Sequence, residues 1–133
     1  MTLVVIHYNN GKFTVSGQHE SIVICRSDGG LDVIDTMDSG FYIGMTMEAN
    51  VKFRDSEISM SKGDVMMLYS DGVTEAENEM KEQFGMNNLM QTLKKYREYP
   101  AAQIRDRFMK DLYNYMGETE IYDDISMVII KQK

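Results

Sequence analysis

This 133-residue chain contains an apolar run, Val65-Met66-Met67-Leu68-Tyr69, which has turn-forming residues on both sides. Ser61-Lys62-Gly63-Asp64 precedes the run, and Ser70-Asp71-Gly72 follows it. A run without a polar face is typical of a strand that is buried on both faces. We therefore predict a central strand over residues 65–69, covered by other elements on either side.

The chain before this run is a series of short strands separated by turn signals. Asn9-Asn10-Gly11-Lys12 supplies residues that tolerate a positive φ, which predicts a hairpin between the strands on either side of it. By the same criteria of β-branched and aromatic content bounded by turns, we predict strands over residues 2–8, 13–15, 21–26, 31–35 and 51–59.

The chain after the run changes to a helical period. A first helix is predicted from Phe84 to about Tyr96, and Pro100 suits the first turn of a second helix that Gly117 would terminate. A closing strand is predicted over residues 125–130. This order predicts an α+β fold in which helices cover one face of a largely antiparallel sheet.

Charge and cysteine content exclude several classes of function. The formal net charge of −7 argues against non-specific binding to nucleic acid or anionic lipid, because such binding needs clustered Lys and Arg. Cys25 is the only cysteine, so no internal disulfide can form. No apolar stretch approaches the ~20 residues of a membrane helix. We therefore expect a reducing, cytoplasmic setting without membrane contact by this segment.

Two acidic positions lie where strands meet loops. Asp71 directly follows the central strand, with Gly72 beside it to permit a sharp turn and close approach of a ligand. Asp123 and Asp124 precede the closing strand, and adjacent carboxylates repel each other unless they are solvated or bind a metal. Their oxygens suit a hard divalent cation. Asp-Gly is also an ordinary turn signal, so spacing alone leaves both interpretations open.

A longer string favours the metal interpretation. Residues 63–76, Gly-Asp-Val-Met-Met-Leu-Tyr-Ser-Asp-Gly-Val-Thr-Glu-Ala, resemble the signature of the stage II sporulation protein E type phosphatases, a branch of the metal-dependent protein phosphatase 2C superfamily. The resemblance extends to Phe84-Gly85 and Asp123-Asp124-Ile125-Ser126. Upstream, residues 16–20 resemble the Ala-Gly-Gln-His element and residues 40–44 the Gly-x-Pro-x-Gly element. The matches occur in family order.

The resemblance implies a layered β-sandwich flanked by helices, with two Mn²⁺ or Mg²⁺ ions that activate a water molecule for attack on phosphorus. It implies that Asp71 and Asp123 are metal ligands. Asp124 and Gly72 are then supporting residues, Asp124 by orienting Asp123 or a bound water. The implied substrate is a phosphoserine or phosphothreonine on a regulatory protein, such as an anti-sigma-factor antagonist. His19 has no role that the resemblance transfers, and we interpret it as structural.

The chain departs from the family pattern in one respect. Full domains carry an earlier Gly-Asp motif whose aspartate bridges both metals, and Gly63-Asp64 cannot replace it because it occupies the turn before the central strand. We therefore expect residues 1–133 to be the C-terminal two-thirds of one phosphatase domain, with the N-terminal strand and helix portion missing. Alone it should have little activity, and an exposed sheet edge should favour homodimerisation.

Two other interpretations remain at this point. The chain could be a non-catalytic interaction domain of the same fold, which would bind a partner without metal chemistry. It could also be a generic α+β binding domain whose Asp-Gly and Asp-Asp turns match the family by accident.

Overall fold

The computed structural model describes residues 2–37 and 55–133. The element at residues 40–44 and the first part of the strand predicted over residues 51–59 lie outside the described residues. The described elements, in chain order, are β1 (Leu3–Asn9), β2 (Lys12–Gln18), β3 (Ile22–Cys25), β4 (Leu31–Ile34), β5 (Ser56–Ser59), β6 (Val65–Tyr69), α1 (Asp71–Thr74), α2 (Gly85–Tyr96), α3 (Ala101–Met116) and β7 (Met127–Lys131).

The strands form two antiparallel sheets. One has the order β1-β2-β5 and the other the order β4-β3-β6-β7. The predicted hairpin joins β1 to β2, and its turn residues Asn10 and Gly11 have φ values of 48° and 83°. These positive values are the ones that Asn and Gly adopt most readily, so the turn sequence favours the observed register of β1 with β2.

Strand β6 lies between β3 and β7 and is covered on both faces, as its sequence predicts. Met66 faces the first sheet, where it packs with Phe13, Ile24 and other apolar side chains. Val65 and Met67 face the opposite way and pack against the helices. Each face of β6 therefore contributes to a different core, and the strand holds the two cores together.

The helices cover the outer face of the second sheet. Leu89 and Leu93 of α2 are fully buried. Helix α3 buries a stripe at helical spacing that consists of Ile104, Phe108, Leu112 and Met116. Gly117 ends the helix with a φ of 64°, as expected for a glycine in that position. Pro100 precedes the helix as its N-cap instead of lying in its first turn, because its ψ of 150° is extended.

These elements form three layers, sheet on sheet on helices, which confirms the α+β layered sandwich flanked by helices. The closing strand was predicted two residues too early, since β7 begins at Met127. The reason is that the main chain at Ser126 is bound partly by the Ser70 side chain rather than by a neighbouring strand alone. No helix in residues 2–37 or 55–133 is long and apolar enough to cross a membrane.

Candidate metal-binding site

The ends of β6 and β7 meet at one end of the second sheet. The last pair in their register is Tyr69 with Met127, so the residues just beyond these two lie side by side. The main-chain N–H of Ser70 donates to the carbonyl of Ser126 at 3.0 Å. Pairing of the two strands therefore brings Asp71 and the segment that carries Asp123 to the same edge.

The Ser70 hydroxyl strengthens this junction. It donates to the main-chain carbonyl of Asp124 at 2.7 Å and accepts the N–H of Ser126 at 2.9 Å. A hydroxyl has one proton to donate and lone pairs to accept with, so a single side chain binds the segment at two points. Ser70 was not predicted from the sequence as a site residue.

Gly72 lies against the same segment. A Cβ atom at this position would be 2.6 Å from the carbonyl oxygen of Asp124 and 3.3 Å from that of Asp123. The chain does turn sharply here, since the N–H of Val73 donates to the Ser70 carbonyl at 3.0 Å, although Gly72 lies in α1 and has no positive φ. What approaches Gly72 in this structure is the Asp123–Asp124 main chain, and a glycine is needed because there is no space for a side chain.

Asp71 is the first residue of α1, and its side chain is exposed. One carboxylate oxygen accepts the N–H of Gly72 at 3.0 Å. The main-chain carbonyl of Asp71 accepts the N–H of Glu75 at 2.9 Å, which forms the single turn of the helix. The carboxylate is therefore attached to a rigid strand end while its oxygens remain accessible to a ligand.

Asp123 and Asp124 are also exposed. The Asp123 carboxylate accepts the N–H of Asp124 at 2.7 Å, and the Asp124 carbonyl accepts the Ser70 hydroxyl. The contacts of Asp124 within the described residues thus come from its main chain. It contacts Asp123 through its own N–H.

The donor chemistry of this edge fits a divalent cation in part. Asp71 and Asp123 offer hard oxygen ligands that form no ion pair with any described residue. Within residues 2–37 and 55–133, no three His, Cys, Asp or Glu side chains form a group that could hold a metal. The residues present fit as two ligands of a site whose remaining ligands would be water or other groups.

A cavity of about 340 Å³ opens beside this edge, between α1 and the segment that leads to Asp123. Lys81 lines it and reaches across, with its Nζ 3.3 Å from a carboxylate oxygen of Glu77 and 3.3 Å from the hydroxyl of Tyr122. Glu77 is thus paired with a lysine. Lys81 has a φ of 64°, which is uncommon for a residue other than glycine. Nothing in the sequence around Lys81 indicated that it lines a cavity beside the candidate site.

His19 is hydrogen-bonded to two threonines. Its ring nitrogen Nδ1 lies 3.0 Å from the hydroxyl of Thr2, and its main-chain N–H donates to the hydroxyl of Thr36 at 2.9 Å. The Thr36 hydroxyl in turn donates to the carbonyl of His19. These contacts support the structural interpretation made from the sequence.

Comparison with known proteins identifies a family and a fold. The model of the stage II sporulation protein E (SpoIIE) family matches residues 1–133. Protein IcfG of Synechocystis sp. is 29% identical over 128 residues. The SiaA-PP2C domain of Pseudomonas aeruginosa superposes with a TM-score of 0.72 at 17% identity. The manganese-presoaked phosphatase domain of SpoIIE from Bacillus subtilis superposes with a TM-score of 0.66 at 16% identity.

The matches cover most of this chain but only part of each similar protein. The superpositions cover 92% and 98% of this chain but only 47% of the SiaA domain and 56% of the SpoIIE domain. The alignment with IcfG covers 95% of this chain and 19% of that protein. The chain therefore spans about half of the solved domains that share its fold. The family match contradicts the interpretation as a generic α+β domain with accidental motifs.

Proposed function

Because the chain belongs to the stage II sporulation protein E family, we propose that it is part of a phosphatase domain that hydrolyses phosphoserine or phosphothreonine on a regulatory protein. The observation that carries this proposal is the junction of β6 and β7. It places Asp71 and the Asp123 segment side by side at one edge, with both carboxylates exposed. Two exposed aspartates in segments that meet at one edge are suited to share a hard cation.

In this proposal Asp71 and Asp123 are metal ligands. The cofactor is Mn²⁺ or Mg²⁺, with two ions in the complete domain, and it would supply a water of lowered pKa and polarise the phosphoryl oxygens. The chain's own residues hold the ligands in place. Asp124 fixes the Asp123 carboxylate through its N–H, and Gly72 permits the two segments to approach closely.

The proposal keeps residues 1–133 as the C-terminal two-thirds of one phosphatase domain. The chain covers 47% and 56% of two solved domains, which supports a partial domain and puts its share nearer to half than to two-thirds. Two ligands bind a cation less tightly than a complete set, so we expect weak Mn²⁺ binding and little turnover by these residues alone. A domain extended upstream should bind more tightly and turn over a phosphoserine peptide.

Metal titration tests the assignment. Mn²⁺ binding to the chain, measured by water proton relaxation, should weaken at least tenfold in Asp71→Asn and in Asp123→Asn. Asp106→Asn is the matched control, because Asp106 is an exposed aspartate on α3 that pairs with Arg105. Equal binding by all three variants would contradict the ligand assignment, and robust turnover by the 133-residue chain would contradict the predicted inactivity.

The partner in this proposal is a phosphorylated protein, and an anti-sigma-factor antagonist is the specific candidate. The net charge of −7 does not favour nucleic acid. A reducing, cytoplasmic setting belongs to the same proposal, and the buried free thiol of Cys25 is compatible with it.

The alternative, an interaction domain without metal chemistry, predicts that neither the chain nor its extended version binds Mn²⁺.

We also propose that the isolated chain associates through an exposed sheet edge. Among the described strands, β1 and β7 each have a neighbour on one side only, and an apolar groove of about 490 Å³ lies between them. Leu3 and Val5 of β1 are 51% and 55% exposed. Light scattering should show a dimer at high concentration that Val5→Lys dissociates, since an edge lysine opposes strand pairing. A strictly monomeric parent chain would refute this.

A further inference from the structure

Ser70 lies at the N-cap of α1, where a serine side chain ordinarily accepts an N–H of its own helix. Here the Ser70 hydroxyl makes no such capping bond. It points instead to a segment more than fifty residues away, donating to the Asp124 carbonyl and accepting the Ser126 N–H. Both hydrogen-bonding functions of the hydroxyl are thus directed to the segment that carries Asp123.

These contacts lie close in sequence to both predicted metal ligands. They flank Asp123 on its C-terminal side, while Ser70 itself directly precedes Asp71. Gly72, on the other side of Asp71, lies against the Asp123 and Asp124 carbonyls. The two neighbours of Asp71 therefore both lie against the main chain around Asp123, Ser70 through hydrogen bonds and Gly72 through close approach.

We propose that Ser70 is a positioning residue for the metal site, which sets the separation of Asp71 and Asp123 through the Asp124 carbonyl and the Ser126 N–H. This inference rests on the proposed function, because a fixed separation matters only if the two carboxylates share a ligand. Residues that orient metal ligands through hydrogen bonds commonly change metal affinity by roughly 10–100-fold when removed. Ser70 does not touch the metal or the substrate in this role.

Three variants test the inference. Ser70→Ala removes both hydroxyl contacts and should weaken Mn²⁺ binding by the chain at least tenfold. Ser70→Thr keeps a hydroxyl and should bind within about threefold of the parent chain. Ser61→Ala is the control at the opposite end of β6, where the main-chain N–H of Ser61 makes the contact to Asp64, so binding should not change.

Two readouts separate a positioning role from a merely structural one. Mn²⁺ affinity is measured at a temperature where all variants are folded, and amide hydrogen exchange at Ser126 reports the contact itself. Faster exchange with at least tenfold weaker binding in Ser70→Ala, and rescue by Ser70→Thr, would support the inference. Faster exchange with unchanged Mn²⁺ affinity would overturn it and leave the proposed function intact. Absence of Mn²⁺ binding by the chain alone would overturn the inference, and absence of binding by the upstream-extended domain as well would overturn the proposed function too.

Discussion

Strand β6 has an aspartate beside a glycine at each end, Asp64 after Gly63 and Asp71 before Gly72. Asp64 is only 2% exposed. Its carboxylate accepts the N–H groups of Ser27 and Ser61 and the guanidinium of Arg26, each at 2.9 Å. Asp71 is exposed, and its carboxylate accepts only a single hydrogen bond among the described residues, from the next N–H in the chain.

This difference distinguishes an aspartate that stabilises the fold from one that is free to bind a ligand. The oxygens of Asp64 are occupied by the protein, so this carboxylate fastens the β3–β4 turn and the segment before β6 to each other. The oxygens of Asp71 remain available, so this carboxylate can bind something that is not part of the chain. Similar dipeptides at the two ends of one strand thus differ in role because their surroundings differ in burial and in hydrogen-bond donors.

The largest expected effect is on folding stability at the Asp64 end. Asp64→Asn leaves Arg26 without its buried anion and places an amide among N–H donors, so we expect a loss of about 3 kcal/mol. Urea unfolding at pH 7 measures it. Asp71→Asn is the control and should cost less than about 0.5 kcal/mol, because the side chain is exposed. A larger loss for Asp71→Asn than for Asp64→Asn would invalidate the comparison.

A smaller effect is expected at the Asp71 end from Gly72→Ala. The new methyl group would meet the Asp124 carbonyl at 2.6 Å, so main chain must move, at a cost of about 2 kcal/mol. The same movement should weaken Mn²⁺ binding. Gly30→Ala is the matched control, because its φ is not left-handed and its nearest contact is the Asp28 side chain, which can move aside. Equal stability of the two variants, measured by urea unfolding, would contradict the steric account.

The elements were largely predictable because their signals are local. The unbroken apolar run of β6 indicated two covered faces, and the stripe from Ile104 to Met116 indicated α3. Asp71 and Asp123 could be selected as site candidates from their places beside strands, and their assignment as metal ligands stays a prediction. Their adjacency required the β6–β7 register, which no local pattern specifies.

The contacts that hold the site were not predictable for the same reason. Ser70 and Ser126 are 56 positions apart, and Asp64 meets Arg26 and Ser27 across nearly forty. Asp64 was interpreted as a turn residue because Ser-Lys-Gly-Asp is a turn signal. The partners that bury it lie in another turn, and its anchoring role emerges only when the second sheet is assembled.

Acid should weaken the contacts at the Asp64 end of β6. Burial opposes ionisation of this carboxyl, but the hydrogen bonds from Ser61, Arg26 and Ser27 outweigh it and lower its pKa below the ordinary 3.8. A lowered pKa in the folded state means that the stabilisation is fully present above the unfolded pKa and is lost as the pH falls through the folded one. The parent chain should therefore lose stability below about pH 4.

The parent and Asp64→Asn, compared across pH, isolate this contribution. Asp111 also has a lowered pKa, because hydrogen bonds from Lys95 and Tyr96 outweigh the opposing effect of its burial, so the parent's own profile mixes two carboxyls. Asp64→Asn keeps Asp111 unchanged. The difference in unfolding free energy between the two proteins should be constant from about pH 5 to 7 and narrow below about pH 4. A difference that stays constant down to pH 2 would mean that the charge of Asp64 is not what anchors its turn.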